Sequence, residues 1–100
     1  MKEITVTELK ALLDKKADFQ LIDVREEHEF DEANINGELI PMGEVMDHLG
    51  KISKDKQVVV HCRSGKRSAT VIQALEAQGG YTNLYNLKGG ILAYIEEIGL

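Results

Sequence analysis

Short apolar runs alternate with stretches of helical spacing along this chain of 100 residues. Apolar and β-branched runs bounded by polar or turn residues predict five short strands, at residues 4–6, 19–23, 38–40, 58–61 and 83–85. Between them, apolar residues three and four positions apart predict a helix capped by Thr7. Further helical segments are predicted at 26–31, 44–49, 68–78 and 91–98. No repeat or linker divides the pattern, so we expect one domain over residues 1–100.

This alternation predicts an α/β fold, a short and mostly parallel sheet with helices on both faces. The unbroken valine run at 58–60 is typical of a strand buried on both sides. In such sheets the functional site lies outside the carboxyl ends of the strands. Cys62 follows the valine strand, and Asp23 and Arg25 lie at the end of another. The topology therefore predicts a crevice shared by two strand ends.

Composition and charge narrow the possible partners. The net charge of −5 argues against nucleic acid, and no apolar run approaches the roughly 18 residues of a membrane span. The first residues lack the apolar core of a secretion signal, and a single cysteine forbids an internal disulfide. We therefore expect a soluble, cytoplasmic protein that binds neither nucleic acid nor membrane.

The positive charges are unevenly distributed. Residues 56–75 contain no Asp or Glu but hold four cations, namely Lys56, Arg63, Lys66 and Arg67. A local positive field within an acidic protein favours a small anionic substrate over a polyanion. The alternative is that these are ordinary solvated cations on a loop.

Cys62 lies at the centre of this basic segment, within the octapeptide HCRSGKRS at residues 61–68. Neighbouring cations and a helix N-terminus lower the pKa of a cysteine to roughly 3.5–7.5, which produces a nucleophilic thiolate. Gly65 permits a positive φ, so the loop can turn successive N–H groups towards one bound anion. A lone cysteine at a strand end is more often a small buried hydrophobe, but such a residue gains nothing from three cations and a glycine turn.

The segment CRSGKRS, after an apolar strand and before a helix, resembles the active-site loop of single-domain rhodaneses, which are sulfurtransferases. The similarity extends over nearly the whole chain, through the Asp-Val-Arg segment that begins at Asp23 and the glycine pair at 89–90. The chain departs from the family pattern at residues 33–38, and Tyr94 stands where a tryptophan is usual. The resemblance implies a three-layer rhodanese-like fold with a five-stranded sheet.

The resemblance also implies a mechanism. The Cys62 thiolate would attack the sulfane sulfur of a small anionic donor such as thiosulfate and become a persulfide. Loop N–H groups would stabilise the departing anion and then the terminal sulfur. Because the chain has no second cysteine, it cannot resolve the persulfide itself. The acceptor must be external: cyanide, a dithiol, glutathione or a protein thiol.

The other polar residues of the predicted site receive roles by the same reasoning. Arg63, Lys66 and Arg67 would attract and orient the donor. Ser64 and Ser68 would hydrogen-bond the donor or cap the following helix, and capping is favoured for Ser68.

Outside the loop, Asp23 and Arg25 are interpreted as a structural pair rather than as catalytic groups. His61 would point away from the thiol if the strand continues, and His28 and His48 would be solvated. Three scattered histidines and one cysteine make no metal site, and we expect no cofactor.

Three other functions compete with this interpretation. Cysteine phosphatases and arsenate reductases place an arginine six positions after the cysteine, where this chain has Ser68; Arg67 closes a loop one residue shorter. Phosphate and arsenate need the larger cradle, so this alternative is disfavoured. A non-catalytic regulatory module typically lacks the nucleophile. A persulfide carrier loaded by a protein donor shares the chemistry of Cys62 and is not separated by sequence.

Overall fold

The computed structural model describes residues 1–100 and contains five strands and four α-helices. The strands are β1 (Lys2–Ile4), β2 (Phe19–Asp23), β3 (Glu38–Leu39), β4 (Gln57–His61) and β5 (Leu84–Leu87). The α-helices are α1 (Val6–Asp14), α2 (Glu27–Glu32), α3 (Lys66–Gly79) and α4 (Gly90–Glu97). Two 3-10 segments lie between β3 and β4, at Met42–Asp47 and Leu49–Lys51. None of the helices is long and apolar enough to cross a membrane.

The five strands form one sheet in the order β1-β5-β4-β2-β3. Every neighbouring pair is parallel, so the sheet is entirely rather than mostly parallel. The carboxyl ends of all five strands therefore lie at one edge. Asp23 and His61 are register partners there, which places the residue after His61 beside the end of β2. The predicted α/β architecture is confirmed.

Helices cover both faces of the sheet. On one face, Val58 and Val60 pack with residues of α3 and the first 3-10 segment, and Cys62 belongs to this cluster. On the other face, Val59 packs with residues of α1 and α4. The valine run is buried on both sides, as predicted, because alternate side chains of β4 enter opposite cores.

The start of the first helix differs from the prediction. β1 ends at Ile4, and Thr5 rather than Thr7 caps α1. The Thr5 hydroxyl accepts from the Glu8 N–H at 3.1 Å, and the Glu8 carboxylate accepts from the Thr5 N–H at 2.9 Å. This reciprocal capping box satisfies the N–H groups of both Thr5 and Glu8 at the start of α1.

Three other predicted elements differ from the structure in their type or their bounds. The predicted helix at 44–49 is a pair of 3-10 segments. The last strand lies one residue later at its start and two at its end, because Leu84 to Leu87 pair with β1 and β4. The helix predicted at 68–78 begins at Lys66, so Ser68 lies in its first turn, where its N–H faces the Cys62 sulfur.

Candidate active site

Cys62 lies at the carboxyl edge of the sheet, directly after the central strand β4. The chain then turns through Gly65, which caps α3 with a φ of 108°, a conformation that glycine adopts without strain. The predicted positive φ at Gly65 is confirmed. The turn directs the N–H groups of Gly65, the cap, and of Ser68, in the first turn of α3, towards the cysteine side chain.

The Cys62 Sγ accepts hydrogen bonds from two N–H groups of this loop and lies near a loop hydroxyl. The N–H of Gly65 lies 3.1 Å away, the N–H of Ser68 3.5 Å and the hydroxyl Oγ of Ser68 3.4 Å. Burial, with only 1% of the residue exposed, raises the pKa of the Cys62 thiol. The bonds from Ser68, Gly65 and Ser64 together outweigh burial, so this pKa lies below its usual value. The site thus stabilises a thiolate.

Ser68 is part of this sulfur site, and the prediction that it caps the helix is wrong. It lies in the first turn of α3, after the cap at Gly65. Its hydroxyl donates to the Asn86 side-chain oxygen at 2.6 Å as well as approaching the sulfur. A hydroxyl has one hydrogen, so the Asn86 oxygen and the Cys62 sulfur compete for it.

Asn86 is a site residue that the sequence reasoning missed. It lies on β5, is buried, and donates from its amide nitrogen to the Gly65 carbonyl at 3.0 Å. Asn86 therefore ties the turn at Gly65 to the first turn of α3. Its signal in the sequence was one polar residue within the otherwise apolar strand Leu84–Leu87.

The backbone that follows the glycine pair at 89–90 packs directly against the cysteine loop. The N–H groups of Ile91 and Leu92, at the start of α4, donate to the carbonyls of Cys62 and Arg63 at 3.0 and 3.1 Å. Gly90 has a φ of 62°, and a Cβ there would lie 2.7 Å from the Cys62 carbonyl oxygen and closer still to that of Arg63. Glycine is required because the backbones approach so closely. With its carbonyls held by α4, the loop presents N–H groups to the sulfur.

The three cations of the loop are not equivalent. Arg63 and Lys66 are exposed. Arg67 instead forms two hydrogen bonds to the carboxylate of Glu29 on α2, at 2.7 and 2.8 Å. These bonds lower the pKa of Glu29 to about 2 and raise that of Arg67. A carboxylate distant in sequence thus lies beside a loop that has none near it in sequence.

Asp23 and Arg25 form a buried ion pair at the end of β2. The guanidinium donates from Nε and Nη2 to both carboxylate oxygens, at 2.8–3.2 Å, and the Arg25 N–H donates to Asp23 at 2.9 Å. Arg25 also donates to the Ala33 carbonyl at 2.7 Å. The pair therefore ties the end of β2 to the segment that follows α2.

His61 is buried between the Asp23–Arg25 pair and the backbone of Cys62. Its Nε2 lies 3.6 Å from Asp23 Oδ2, and its Nδ1 lies 3.4 Å from the carbonyl oxygen of Cys62 rather than reaching the thiol. Burial lowers the pKa of His61, which favours the neutral ring.

Comparisons with known proteins agree with this geometry. The family of Rhodanese-like domains matches residues 5–97. The chain is 38% identical to YtwF of Bacillus subtilis, over 97% of this chain and 93% of that protein. It is 36% identical to a sulfurtransferase of Allochromatium vinosum, over 94% of this chain and 88% of that protein.

A solved structure gives the same result. The crystal structure of a rhodanese-like domain protein from Staphylococcus aureus superposes with a TM-score of 0.84 at 37% identity, over 94% of this chain and 91% of that one. The resemblance inferred from the cysteine loop is confirmed, and the relatives support sulfur transfer as the general activity. The chain belongs to the rhodanese-like domain family.

Proposed function

We propose that this protein takes a sulfane sulfur from thiosulfate or a related donor, holds it on Cys62 and passes it to an external thiophile. The observation that carries the proposal is the set of polar groups around the Cys62 sulfur, namely two N–H groups and the Ser68 hydroxyl. They stabilise a thiolate before the reaction, and the same N–H groups face any negative charge that develops on a second sulfur.

In the first step, the Cys62 thiolate attacks the outer sulfur of thiosulfate. A sulfur–sulfur bond forms to Cys62 while the sulfur–sulfur bond of the donor breaks, and sulfite leaves with the bonding electron pair. The products are a Cys62 persulfide anion and a sulfite dianion, so the total charge is unchanged and no proton is transferred. Exposed Arg63 and Lys66 attract the donor, and Ser64 lies between them on the same loop.

In the second step, the acceptor attacks the outer sulfur of the persulfide. Cyanide becomes thiocyanate and Cys62 returns as the thiolate; a thiol acceptor becomes a persulfide instead. Cys62 is the only cysteine of the chain, which supports an acceptor that is a separate molecule. In this scheme Asp23 and Arg25 act structurally, because their side chains are buried and paired with each other.

The main competitor is a phosphate or arsenate chemistry at the same thiolate. The geometry disfavours it, because Arg67, the arginine nearest the required position, already binds Glu29. A panel of substrates tests the choice: thiosulfate with cyanide, thiosulfate with a dithiol, and an aryl phosphate ester, each with wild type and Cys62→Ser. We expect thiosulfate turnover that is lost in Cys62→Ser. Turnover of the ester alone would overturn the proposal.

A further inference from the structure

Arg67 is the one cation of the cysteine loop that binds a carboxylate. Its Nη1 and Nη2 donate to the two oxygens of Glu29 at 2.7 and 2.8 Å, with 34% and 19% of the two side chains exposed. This is the bidentate geometry that makes guanidinium–carboxylate pairs strong. It joins helix α2 to the first turn of α3, 38 residues away in sequence.

Glu29 is itself held in place before it meets Arg67. One of its carboxylate oxygens accepts from the N–H of Glu26 at 3.0 Å, as part of the capping box of α2. Its backbone carbonyl accepts from Arg25 Nη1 at 3.4 Å. The buried Asp23–Arg25 pair therefore positions the residue that positions Arg67.

The contact has two consequences for a bound anion. The Nη1 and Nη2 groups of Arg67, which could otherwise donate to a bound oxyanion, already donate to Glu29, and the Glu29 carboxylate balances the charge of Arg67. No carboxylate forms an ion pair with Arg63 or Lys66. The donor therefore meets two available cations rather than the three present in the loop sequence.

We infer that Glu29 is a positioning residue that sets the charge class of the sulfur donor. By holding Arg67, it lowers the positive charge that the donor meets and so favours singly charged sulfane donors, such as a persulfide anion or an organic thiosulfonate, relative to doubly charged thiosulfate. The inference rests on the proposed function and specifies its substrate class.

The chemistry is the same for either class of donor. With a thiosulfonate, the Cys62 thiolate bonds to the terminal sulfur, the donor sulfur–sulfur bond breaks, and a sulfinate leaves with the electron pair. Thiosulfate and methanethiosulfonate have a similar shape around the reacting sulfur and differ by replacing one anionic oxygen with a methyl group. They separate an effect of charge from an effect of reactivity.

The test measures kcat and KM for both donors, with a saturating acceptor, in wild type and Glu29→Gln. Freeing Arg67 should lower the thiosulfate KM by roughly fivefold, the size of one partly exposed charged contact. The methanethiosulfonate KM should change by less than about twofold. Glu32→Gln is the matched control, since it removes an exposed charge from the same helix without touching Arg67.

Two more variants keep the result interpretable. In the double variant Glu29→Gln/Arg67→Gln, the gain for thiosulfate should disappear, because the freed guanidinium is gone. Glu29→Asp keeps the charge but shortens its reach, so it should shift the thiosulfate KM in the same direction by about twofold. If Glu29→Gln changed both donors equally, or raised the thiosulfate KM, the inference would be overturned.

The outcome also separates this inference from the proposed function. A wild-type protein that transfers sulfur from neither donor would overturn the proposed function. A protein that transfers sulfur, but whose donor preference is the same with and without the Glu29 carboxylate, would overturn only the role of Glu29.

Discussion

The cysteine loop has a buried floor and an exposed rim, and the two contain opposite kinds of polar group. The floor consists of Cys62 with Ser68, Asn86 and Gly90, all buried, and its polar groups are neutral hydrogen-bond donors and acceptors. The rim consists of Arg63, Ser64 and Lys66, all exposed, and holds the cations. The cationic side chains that first indicated a thiolate thus supply none of the hydrogen bonds that the Cys62 sulfur accepts.

This division has a physical reason. Fixed dipoles in a buried site stabilise charge strongly and do not reorganise during the reaction. Exposed cations act through water and are screened by salt, so their effect is to attract and orient the donor. Changes to the floor should therefore alter folding and the thiolate, whereas changes to the rim should alter donor capture.

The largest expected effect comes from the backbone contact at the bottom of the floor. Gly90→Ala should lower the free energy of unfolding by on the order of 3 kcal/mol, because its Cβ meets the carbonyls of Cys62 and Arg63 and its φ is positive. Gly80→Ala is the control: its φ is 67°, and a methyl group added there would have no neighbouring heavy atom within 4 Å. It should cost only about 1 kcal/mol. Equal losses in denaturant unfolding would contradict the account.

A smaller effect should follow from removing the hydroxyl of the floor. Ser68→Ala removes the hydroxyl whose one hydrogen the Cys62 sulfur and the Asn86 oxygen compete for. The pKa of Cys62 should rise, so the midpoint of its alkylation by iodoacetamide should move to higher pH. The free energy of unfolding should fall by about 1–3 kcal/mol.

Ser64→Ala provides the comparison on the rim. Its exposed hydroxyl is lost, but its backbone N–H, the group that helps lower the pKa of Cys62, remains. The alkylation midpoint should stay at the wild-type value. A midpoint that moved as far in Ser64→Ala as in Ser68→Ala would remove the distinction between floor and rim.

The smallest effect is expected at a rim cation. Lys66→Ala should lower kcat/KM for thiosulfate about threefold at low salt, and the difference from wild type should shrink as salt screens the lost charge. Lys15→Ala removes an exposed charge at the far end of α1 and should change neither kcat/KM for thiosulfate nor its dependence on salt. If the Lys66→Ala defect persisted unchanged at high salt, Lys66 would not act by attraction.

Local patterns predicted most of the fold. The valine run identified the buried strand β4, and the glycine at 65 identified the turn, because both depend on neighbouring residues alone. The cap of α1 was predictable in principle: Glu8 stands three residues after Thr5, as a capping box requires, whereas Thr7 has Lys10 there.

The remaining site residues depend on contacts between distant segments. Asn86 meets Ser68 across 18 positions, and Glu29 meets Arg67 across 38. No spacing rule predicts such pairs, since they exist only once β5 and α2 pack beside the cysteine loop. The role of Ser68 was misassigned because α3 begins two residues earlier than predicted and because its partner Asn86 lies on the distant strand β5.

The most direct test of the central claim is the intact mass of the protein after treatment with thiosulfate. If Cys62 forms a persulfide, the mass should increase by one sulfur atom, cyanide should remove that sulfur as thiocyanate, and Cys62→Ser should show no increase. An unchanged wild-type mass, or a sulfur that is still acquired by Cys62→Ser, would contradict a persulfide on Cys62.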